Sequence, residues 1–236
     1  MDINSLFSVD GKVAVVTGGS RGIGEMITAG LLANGVKVYI SARKAPALIE
    51  KAKELSEKYD HECFQIPCDL SSIDGIKNFM KIISEKEDGI DFLVNNAGAA
   101  WGESFETFSE QGWDKVMDLN VKSIFFLTQQ MRDLLSKRSS LEDPSRVINI
   151  GSIDGLNVPA LETYSYSASK SAVHHLTRVM ASKLVKENIL VNAIAPGPYP
   201  SNMLGPAVNY DYSEIEKRNP RKSCLLYTSP SPRDRG

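Results

Sequence analysis

The stretch TGGSRGIG, residues 17–24, decides the fold, because it places four glycines directly after the apolar run KVAVV at residues 12–16. Glycine loses more conformational freedom on folding than any other residue, so this density indicates a backbone that turns tightly or is approached closely. Between a buried strand and a helix, such a turn lets backbone amides reach a phosphate. The alternative is a purely structural turn, since the spacing is Gly-x-x-x-Gly-x-Gly and not the usual dinucleotide fingerprint Gly-x-Gly-x-x-Gly.

On either side of this turn, short apolar runs alternate with longer segments of helical spacing. The predicted strands are residues 12–17, 36–41, 62–67, 90–96, 146–151 and 189–195, and the segments long enough for crossover helices include 22–34, 72–87, 111–138 and 164–187. Strands that are apolar on consecutive residues are typical of parallel sheets covered on both faces. The sequence therefore predicts an α/β fold, a doubly wound, Rossmann-like parallel sheet of six strands with its ligand crevice at their carboxyl ends.

Composition and charge argue against several classes of function. The 236 residues include 27 basic and 29 acidic side chains, for a net charge of −2, so neither nucleic acid nor a membrane is expected as a partner. Cys63, Cys68 and Cys224 lack the paired spacing of a zinc site or a disulfide framework. We therefore expect no metal and a cytoplasmic location. Residues 1–12 lack the apolar core of a signal peptide, and no apolar run reaches the roughly 18 residues of a membrane span.

The order of motifs resembles the short-chain dehydrogenase/reductase family from about residue 12 to about residue 221. The matching features are the glycine turn, NNAG at 95–98, Asn120 in MDLNVKS, Ser152, YSASK at 166–170 and PG at 196–197. The resemblance implies an oxidoreductase with a nicotinamide cofactor, which in complete form is a homodimer or homotetramer. Within the family, the chain resembles the 3-oxoacyl-(acyl-carrier-protein) reductases, including the rhamnolipid-pathway type, which implies a place in fatty acid metabolism.

The Tyr166–Lys170 pair carries the predicted chemistry. Residues four apart on a helix share one face, although such a pair is by itself often ordinary helix surface. A free phenol has a pKa of about 10, and a nearby ammonium is expected to lower it toward the working range. Tyr166 can then give a proton to a carbonyl oxygen as hydride reaches its carbon, while Ser152 hydrogen-bonds the same oxygen. The resemblance adds that Lys170 holds the nicotinamide ribose and that Asn120 anchors a water in a proton relay.

The end of the second predicted strand indicates NADP(H). An NAD site places an acidic side chain there to hold the ribose hydroxyls, whereas this chain has Ala42, Arg43 and Lys44, with Arg21 in the glycine turn. Cations attract a 2′-phosphate, and arginine can bind it through two hydrogen bonds. The alternative is that Arg43 only faces water at a strand end.

The predicted site residues fall into two sets, of which Tyr166 and Lys170 belong to both. By resemblance, Asp69 contacts the adenine and Asn95 lies where the family holds the adenine-side ribose. The catalytic set is Asn120, Ser152, Tyr166 and Lys170. The cofactor set is Gly18, Ser20, Arg21, Gly22, Ile23, Gly24, Arg43, Asp69, Leu70, Asn95, Ala97, Gly98, Tyr166, Lys170, Pro196 and Gly197.

The sequence leaves three hypotheses open for what the protein acts on. Reduction of a 3-oxoacyl thioester is the first hypothesis. Reduction of another ketone, a sugar or a small alcohol is the second, and a non-catalytic NADP-binding sensor or scaffold is the third. Asp154 and Glu162 could contact substrate or simply be solvated. Arg132, Lys137 and Arg138 are candidates for a carrier-protein patch, with a solvated helix end as the alternative.

The end of the chain differs in composition from the rest. Residues 223–236, SCLLYTSPSPRDRG, are rich in Ser, Pro and charge. They contain neither a further apolar strand nor the crossover that would bring one to the sheet. We expect residues 1–223 to form one oxidoreductase domain, incomplete at its C-terminus and without the family's usual seventh strand. We expect residues 224–236 to be a non-native, disordered tail; a natural short variant is the alternative.

Overall fold

The structure is a computed structural model and describes residues 7–198 and Ser213. The strands of residues 7–198 are β1 (Val13–Thr17), β2 (Lys37–Ala42), β3 (Cys63–Pro67), β4 (Phe92–Asn95), β5 (Ser145–Ile150) and β6 (Ile189–Ile194). The helices of this range are α1 (Gly22–Leu32), α2 (Ala45–Tyr59), α3 (Ile73–Ser84), α4 (Glu110–Met117), α5 (Ser123–Lys137) and α6 (Tyr164–Leu184).

The strands form one parallel sheet in the order β3-β2-β1-β4-β5-β6. The chain works outward from β1 to β3 and then returns to start β4 beside β1, so the topology reverses between β1 and β4. Ligands bind at such a reversal, outside the carboxyl ends of the strands. All five residues of β1 are buried, as expected for a central strand with helices on both faces. The six-stranded, Rossmann-like prediction is confirmed.

One predicted helix is interrupted. Residues 111–138 were expected to be a single helical segment, but α4 and α5 are separated by a π-helical turn at Asp118–Lys122. The turn contains Asn120, whose side chain is fully buried. A π turn inserts one extra residue into a helix and is frequent at functional sites. Residue spacing alone did not reveal it, because apolar periodicity continues on both sides.

Several expectations concern residues that the structure does not describe. The tail at 224–236 with Cys224, and the segment that follows residue 198, lie outside the described residues apart from Ser213. Within the described part of the chain, no helix is long and apolar enough to cross a membrane. Cys63 and Cys68 are free thiols, and burial raises the pKa of each to about 12, so neither is a reactive thiolate near neutral pH.

Candidate active site

The glycine turn joins β1 to α1 at the topological reversal. Gly18 and Gly22 have φ of +64° and +56°, a region that favours glycine. A Cβ on Gly24 would overlap the carbonyl oxygen of Gly18, so the helix packs on the turn only because a side chain is missing there. Arg21 precedes α1 without capping it through its side chain, whereas Ser72 caps α3 by accepting from Gly75 N at 3.0 Å. The first amides of α1 therefore remain available to an anion such as a phosphate.

Two polar side chains hold the glycine turn against the NNAG segment. The Thr17 hydroxyl accepts from the amides of Asn96 and Ala97, both at 2.9 Å. The Asn96 side chain donates to the carbonyl oxygens of Thr17 and Gly18, at 2.9 and 3.2 Å. Neither residue is among the predicted site residues. The available signal was a polar residue at the carboxyl end of each of two neighbouring parallel strands, which must meet at one edge of the sheet.

Ser152 follows β5 and is held by contacts from three directions. Its hydroxyl accepts from Asp154 N at 3.2 Å, and its carbonyl oxygen lies 3.0 Å from His174 Nε2 on α6. The next residue, Ile153, donates its amide to the carbonyl oxygen of Pro196 at 3.1 Å. The turn that presents Ser152 is thus fixed to α6 and to the loop after β6 that contains Pro196. His174 thus makes a structural contact with the Ser152 backbone.

Lys170 lies one helical turn after Tyr166 on α6, as predicted. Its Nζ donates to the Ile150 carbonyl oxygen at 2.7 Å and lies 5.5 Å from the centroid of the Tyr166 ring. Burial lowers the pKa of Lys170 to about 8. Tyr166 and Ser152 approach each other: burial raises the pKa of the phenol, and the neighbouring Ser152 hydroxyl offsets part of that rise.

The expected net decrease in the Tyr166 pKa is not found. Burial raises the pKa of the phenol and outweighs the opposing hydrogen bond from Ser152, and the negative charge of Asp154 raises it further. Spacing along a helix predicts that a lysine is near the phenol, but it does not predict how strongly the phenol is desolvated.

Asn120 lies in the π turn and connects three parts of the site. Its side chain accepts from Ala99 N at 2.8 Å and donates to Ala99 O and to Ser169 Oγ, both at 2.9 Å. These bonds fix the segment after β4 against α6, next to Tyr166 and Lys170. These hydrogen bonds occupy the side-chain amide of Asn120. The predicted contact with a relay water would therefore need a backbone atom, such as the backbone carbonyl oxygen of Asn120.

Two predicted cofactor residues direct their side chains into the protein. Asn95 is 3% exposed, and its amide donates to Asn149 Oδ1 at 2.8 Å and to Thr128 Oγ1 at 3.2 Å. Leu70 is 4% exposed and packs in the apolar core. The geometry therefore does not support ribose binding by the Asn95 side chain, and only backbone atoms of these residues remain for a cofactor. An asparagine at a strand end can face either side of the sheet, and the sequence did not show which.

The predicted cofactor-phosphate end combines exposed cations with a carboxylate. Arg21 and Arg43 are exposed, and within the described residues neither forms an ion pair. Arg43 and Asp69 line a cavity of about 190 Å³ together with Ser71 and Lys115. Asp69 Oδ1 accepts from the amide and hydroxyl of Ser71 at 3.0 and 2.8 Å, and these bonds hold its pKa below the usual value. This end of the crevice can bind a ligand that presents an anionic group to Arg43 and a hydrogen-bond donor to Asp69.

The remaining predicted residues lie along the same crevice. The glycine turn contributes Ser20 and Ile23, both partly exposed. The NNAG segment contributes Ala97 and Gly98, and Gly98 is close to Asn120 Oδ1. The last loop contributes Pro196 and Gly197, which are also partly exposed.

Comparison with known proteins agrees with this arrangement. A model of the short chain dehydrogenase family matches residues 12–210. The rhamnolipids biosynthesis 3-oxoacyl-[acyl-carrier-protein] reductase of Pseudomonas aeruginosa is 48% identical over 197 residues, which cover 84% of this chain and 76% of the relative. The 2-dehydro-3-deoxy-D-gluconate 5-dehydrogenase of Escherichia coli is 38% identical over 205 residues, covering 85% and 76%.

A solved structure gives the same result in three dimensions. The Pseudomonas aeruginosa RhlG/NADP active-site complex superposes with a TM-score of 0.89 at 44% identity and covers 93% of this chain and 86% of that one. The doubly wound sheet of the described residues agrees with that match. The chain belongs to the short-chain dehydrogenase family of oxidoreductases.

Proposed function

We propose that this chain reduces a ketone to an alcohol with NADPH, and that its substrate is a 3-oxoacyl thioester. The observation that carries the proposal is the convergence of Ser152 and Tyr166, with Lys170 behind them, beside the uncapped amino end of α1. The substrate class is supported by the similarity to the Pseudomonas aeruginosa 3-oxoacyl reductase.

NADPH, when bound, supplies the hydride that reaches the carbonyl carbon. The residues of this chain then have separate tasks. Ser152 donates a hydrogen bond to the carbonyl oxygen and stabilises its developing charge. Tyr166 gives that oxygen a proton, and the raised pKa of its phenol keeps the proton on the donor until it is needed. The ammonium of Lys170 stabilises the phenolate that remains and holds the nicotinamide-side ribose.

The glycine turn and the cations at the strand ends fit NADP(H). The free backbone amides at the start of α1 can bind a pyrophosphate. Gly24 packs directly on the backbone of Gly18, so a side chain at position 24 would not fit. Arg43 after β2 and Arg21 in the glycine turn are both exposed and supply positive charge for a 2′-phosphate. The NADP complex of the similar Pseudomonas aeruginosa protein supports the same choice.

A second candidate is an NADPH-dependent reductase of a sugar or another ketone. The similarity to the Escherichia coli 2-dehydro-3-deoxy-D-gluconate 5-dehydrogenase favours it. The carrier-protein patch gains little support, since Arg132 pairs with Glu187 at 2.7 Å and Arg138 with Asp91 at 3.1 Å. A non-catalytic sensor is disfavoured by the intact set of Ser152, Tyr166 and Lys170.

We also propose a homodimer or homotetramer in the cytoplasm. Phe125 on α5 and Val179 on α6 are 40% and 43% exposed, which supports burial of these helix faces in an assembly. Light scattering of the purified protein tests the assembly: a mass of two or four chains is expected, and a monomer would contradict it.

The test of function is NADPH oxidation over a panel that contains a 3-oxoacyl thioester, simple ketones, a keto sugar and a keto sugar acid. We expect the thioester to have the highest kcat/KM. Faster turnover of the sugars would favour the second candidate. Tight NADPH binding without turnover of any substrate would favour a sensor.

A further inference from the structure

Two loops flank the Tyr166 end of the site, residues 99–108 after β4 and residues 151–163 after β5. They contact each other through the amide of Glu103, which donates to the Glu162 carbonyl oxygen at 3.3 Å. Together they contain four carboxylates and no lysine, arginine or histidine. They also expose large apolar side chains, such as Phe105 at 73% and Leu156 at 60%. The entrance to the site is therefore apolar and negatively charged.

Asp154 is the carboxylate closest in sequence to the reacting groups, and its turn is firmly held. Its carbonyl oxygen accepts from Ser167 Oγ at 2.7 Å, and the next carbonyl, of Gly155, accepts from Ser171 Oγ at 2.6 Å. Its amide donates to Ser152 Oγ at 3.2 Å. Three hydrogen bonds thus fix Asp154 between Ser152 and α6, and its charge acts on the phenol of Tyr166.

The carboxylate of Asp154 is itself unpaired. Across residues 7–198, no hydrogen-bond donor or cation contacts its oxygens. It is only partly exposed, and burial raises its pKa. A half-buried charge without a partner is costly, and such groups are usually kept for a ligand.

Of the three other carboxylates in the two loops, Glu106 is exposed to solvent, and the other two accept hydrogen bonds. Glu162 Oε1 accepts from the Tyr164 hydroxyl at 2.9 Å, and Glu103 Oε2 accepts from the amide and hydroxyl of Ser109, both at 2.7 Å. Lys170 is buried and donates to the Ile150 carbonyl oxygen. Lys115 lies 4.3 Å from the centroid of the Trp101 ring. Among the described groups, Asp154 is left to meet the substrate next to Tyr166.

We infer that Asp154 is a specificity-determining residue that admits 3-oxo substrates which are neutral beside the reacting carbonyl, such as esters and thioesters, and rejects free 3-oxo carboxylates. The inference rests on the proposed function. In a 3-oxo acid a single methylene separates the carboxylate from the ketone carbon, so the carboxylate would approach Asp154 when the ketone reaches Tyr166 and Ser152. Two like charges in a partly desolvated site repel each other, whereas an ester group presents no charge.

The test compares ethyl 3-oxohexanoate with freshly prepared 3-oxohexanoate, both with NADPH at pH 8, where a carboxylate is ionised. In Asp154→Asn the ratio of kcat/KM for ester over acid should fall about tenfold relative to wild type, mainly through a lower KM for the acid. Asp154→Glu, which keeps the charge, should retain most of the ratio. Asp88→Asn is the matched control, because Asp88 is exposed and lies just before β4, at the opposite edge of the sheet.

Salt dependence separates charge repulsion from a structural effect. Added salt screens charges. It should therefore lower the ratio of kcat/KM for ester over acid in wild type and leave that ratio unchanged in Asp154→Asn. The wild-type measurement needs no variant to fold. A ratio that is equal in all proteins and insensitive to salt would overturn the inference while ester reduction still supports the proposed function. If wild type reduces neither compound nor any other ketone, the proposed function fails and the inference fails with it.

Discussion

At the scale of single residues, burial in the fold strongly affects the ionisation of Lys170. Burial lowers its pKa from 10.5 to about 8, so the folded protein holds this proton less tightly than the unfolded chain does. Between these two pH values the unfolded chain binds more protons, and the free energy of unfolding contributed by Lys170 must rise with pH. Below about pH 8, Lys170 is protonated in both the folded and the unfolded state. Burial of its charge then lowers the free energy of unfolding by its full amount.

The variant Lys170→Met isolates this contribution, since it keeps a long apolar side chain without the charge. From pH 7 to pH 9.5, the free energy of unfolding of wild type should increase by about 2 kcal/mol relative to the variant. Urea unfolding at the two pH values measures the difference. Parallel pH dependence in both proteins would show that Lys170 is not desolvated as described.

Residue chemistry at the end of β2 also predicts the cofactor preference. The double variant Ala42→Asp, Arg43→Ala removes one cation and adds a carboxylate where a 2′-phosphate is expected. Losing such a charge-assisted pair costs about 1–3 kcal/mol, so NADPH affinity should fall roughly 10- to 100-fold while NADH affinity changes little or improves. Titration with both cofactors gives the ratio. An unchanged ratio would place 2′-phosphate recognition elsewhere.

The identity of the reacting residues could be predicted from the sequence, but their surroundings could not. Tyr166, Lys170 and Ser152 are specified by spacing and by position at strand ends, which are local properties. The net direction of the Tyr166 pKa depends on how many groups exclude water from it, and the side of the sheet on which the Asn95 amide lies depends on Thr128 and Asn149. Such properties depend on packing between segments that are distant in sequence.

At the scale of elements, α1 and its glycine turn form the part of the fold most sensitive to a single methyl group. A Cβ at Gly24 would overlap the backbone of Gly18, whereas a Cβ at Gly30 in the same helix meets nothing within 4 Å. Gly24→Ala should therefore lower the free energy of unfolding by about 1–3 kcal/mol and weaken NADPH binding. Gly30→Ala, the matched control, should be neutral or stabilise by up to about 1 kcal/mol.

Thermal unfolding with and without NADPH measures both effects. If the two alanine variants behave alike, the close approach of α1 to the turn is not required for cofactor binding. The six strands are predictable because each is a short, mainly apolar segment. The π turn at Asp118–Lys122 is not, since it depends on Asn120 reaching Ala99 and Ser169 in other segments.

At the scale of the whole molecule, the parallel sheet brings segments from across the chain to one edge. The glycine turn follows β1, NNAG begins at the end of β4, and Ser152 follows β5, so residues more than a hundred positions apart meet at the topological reversal. Helices α4 and α6 and the π turn then close the substrate side. We propose that hydride passes from NADPH to a ketone at this edge, with Tyr166 as the proton donor.

The most direct test follows the hydride itself. The protein is incubated with NADPH deuterated at the transferred position and a 3-oxoacyl thioester, and the product is analysed by mass spectrometry. Wild type should give the 3-hydroxyacyl product with one deuterium on the former carbonyl carbon. Tyr166→Phe should bind NADPH normally but form the labelled product about 10²- to 10⁴-fold more slowly. Unlabelled product, no product from wild type, or undiminished transfer by Tyr166→Phe would contradict the claim.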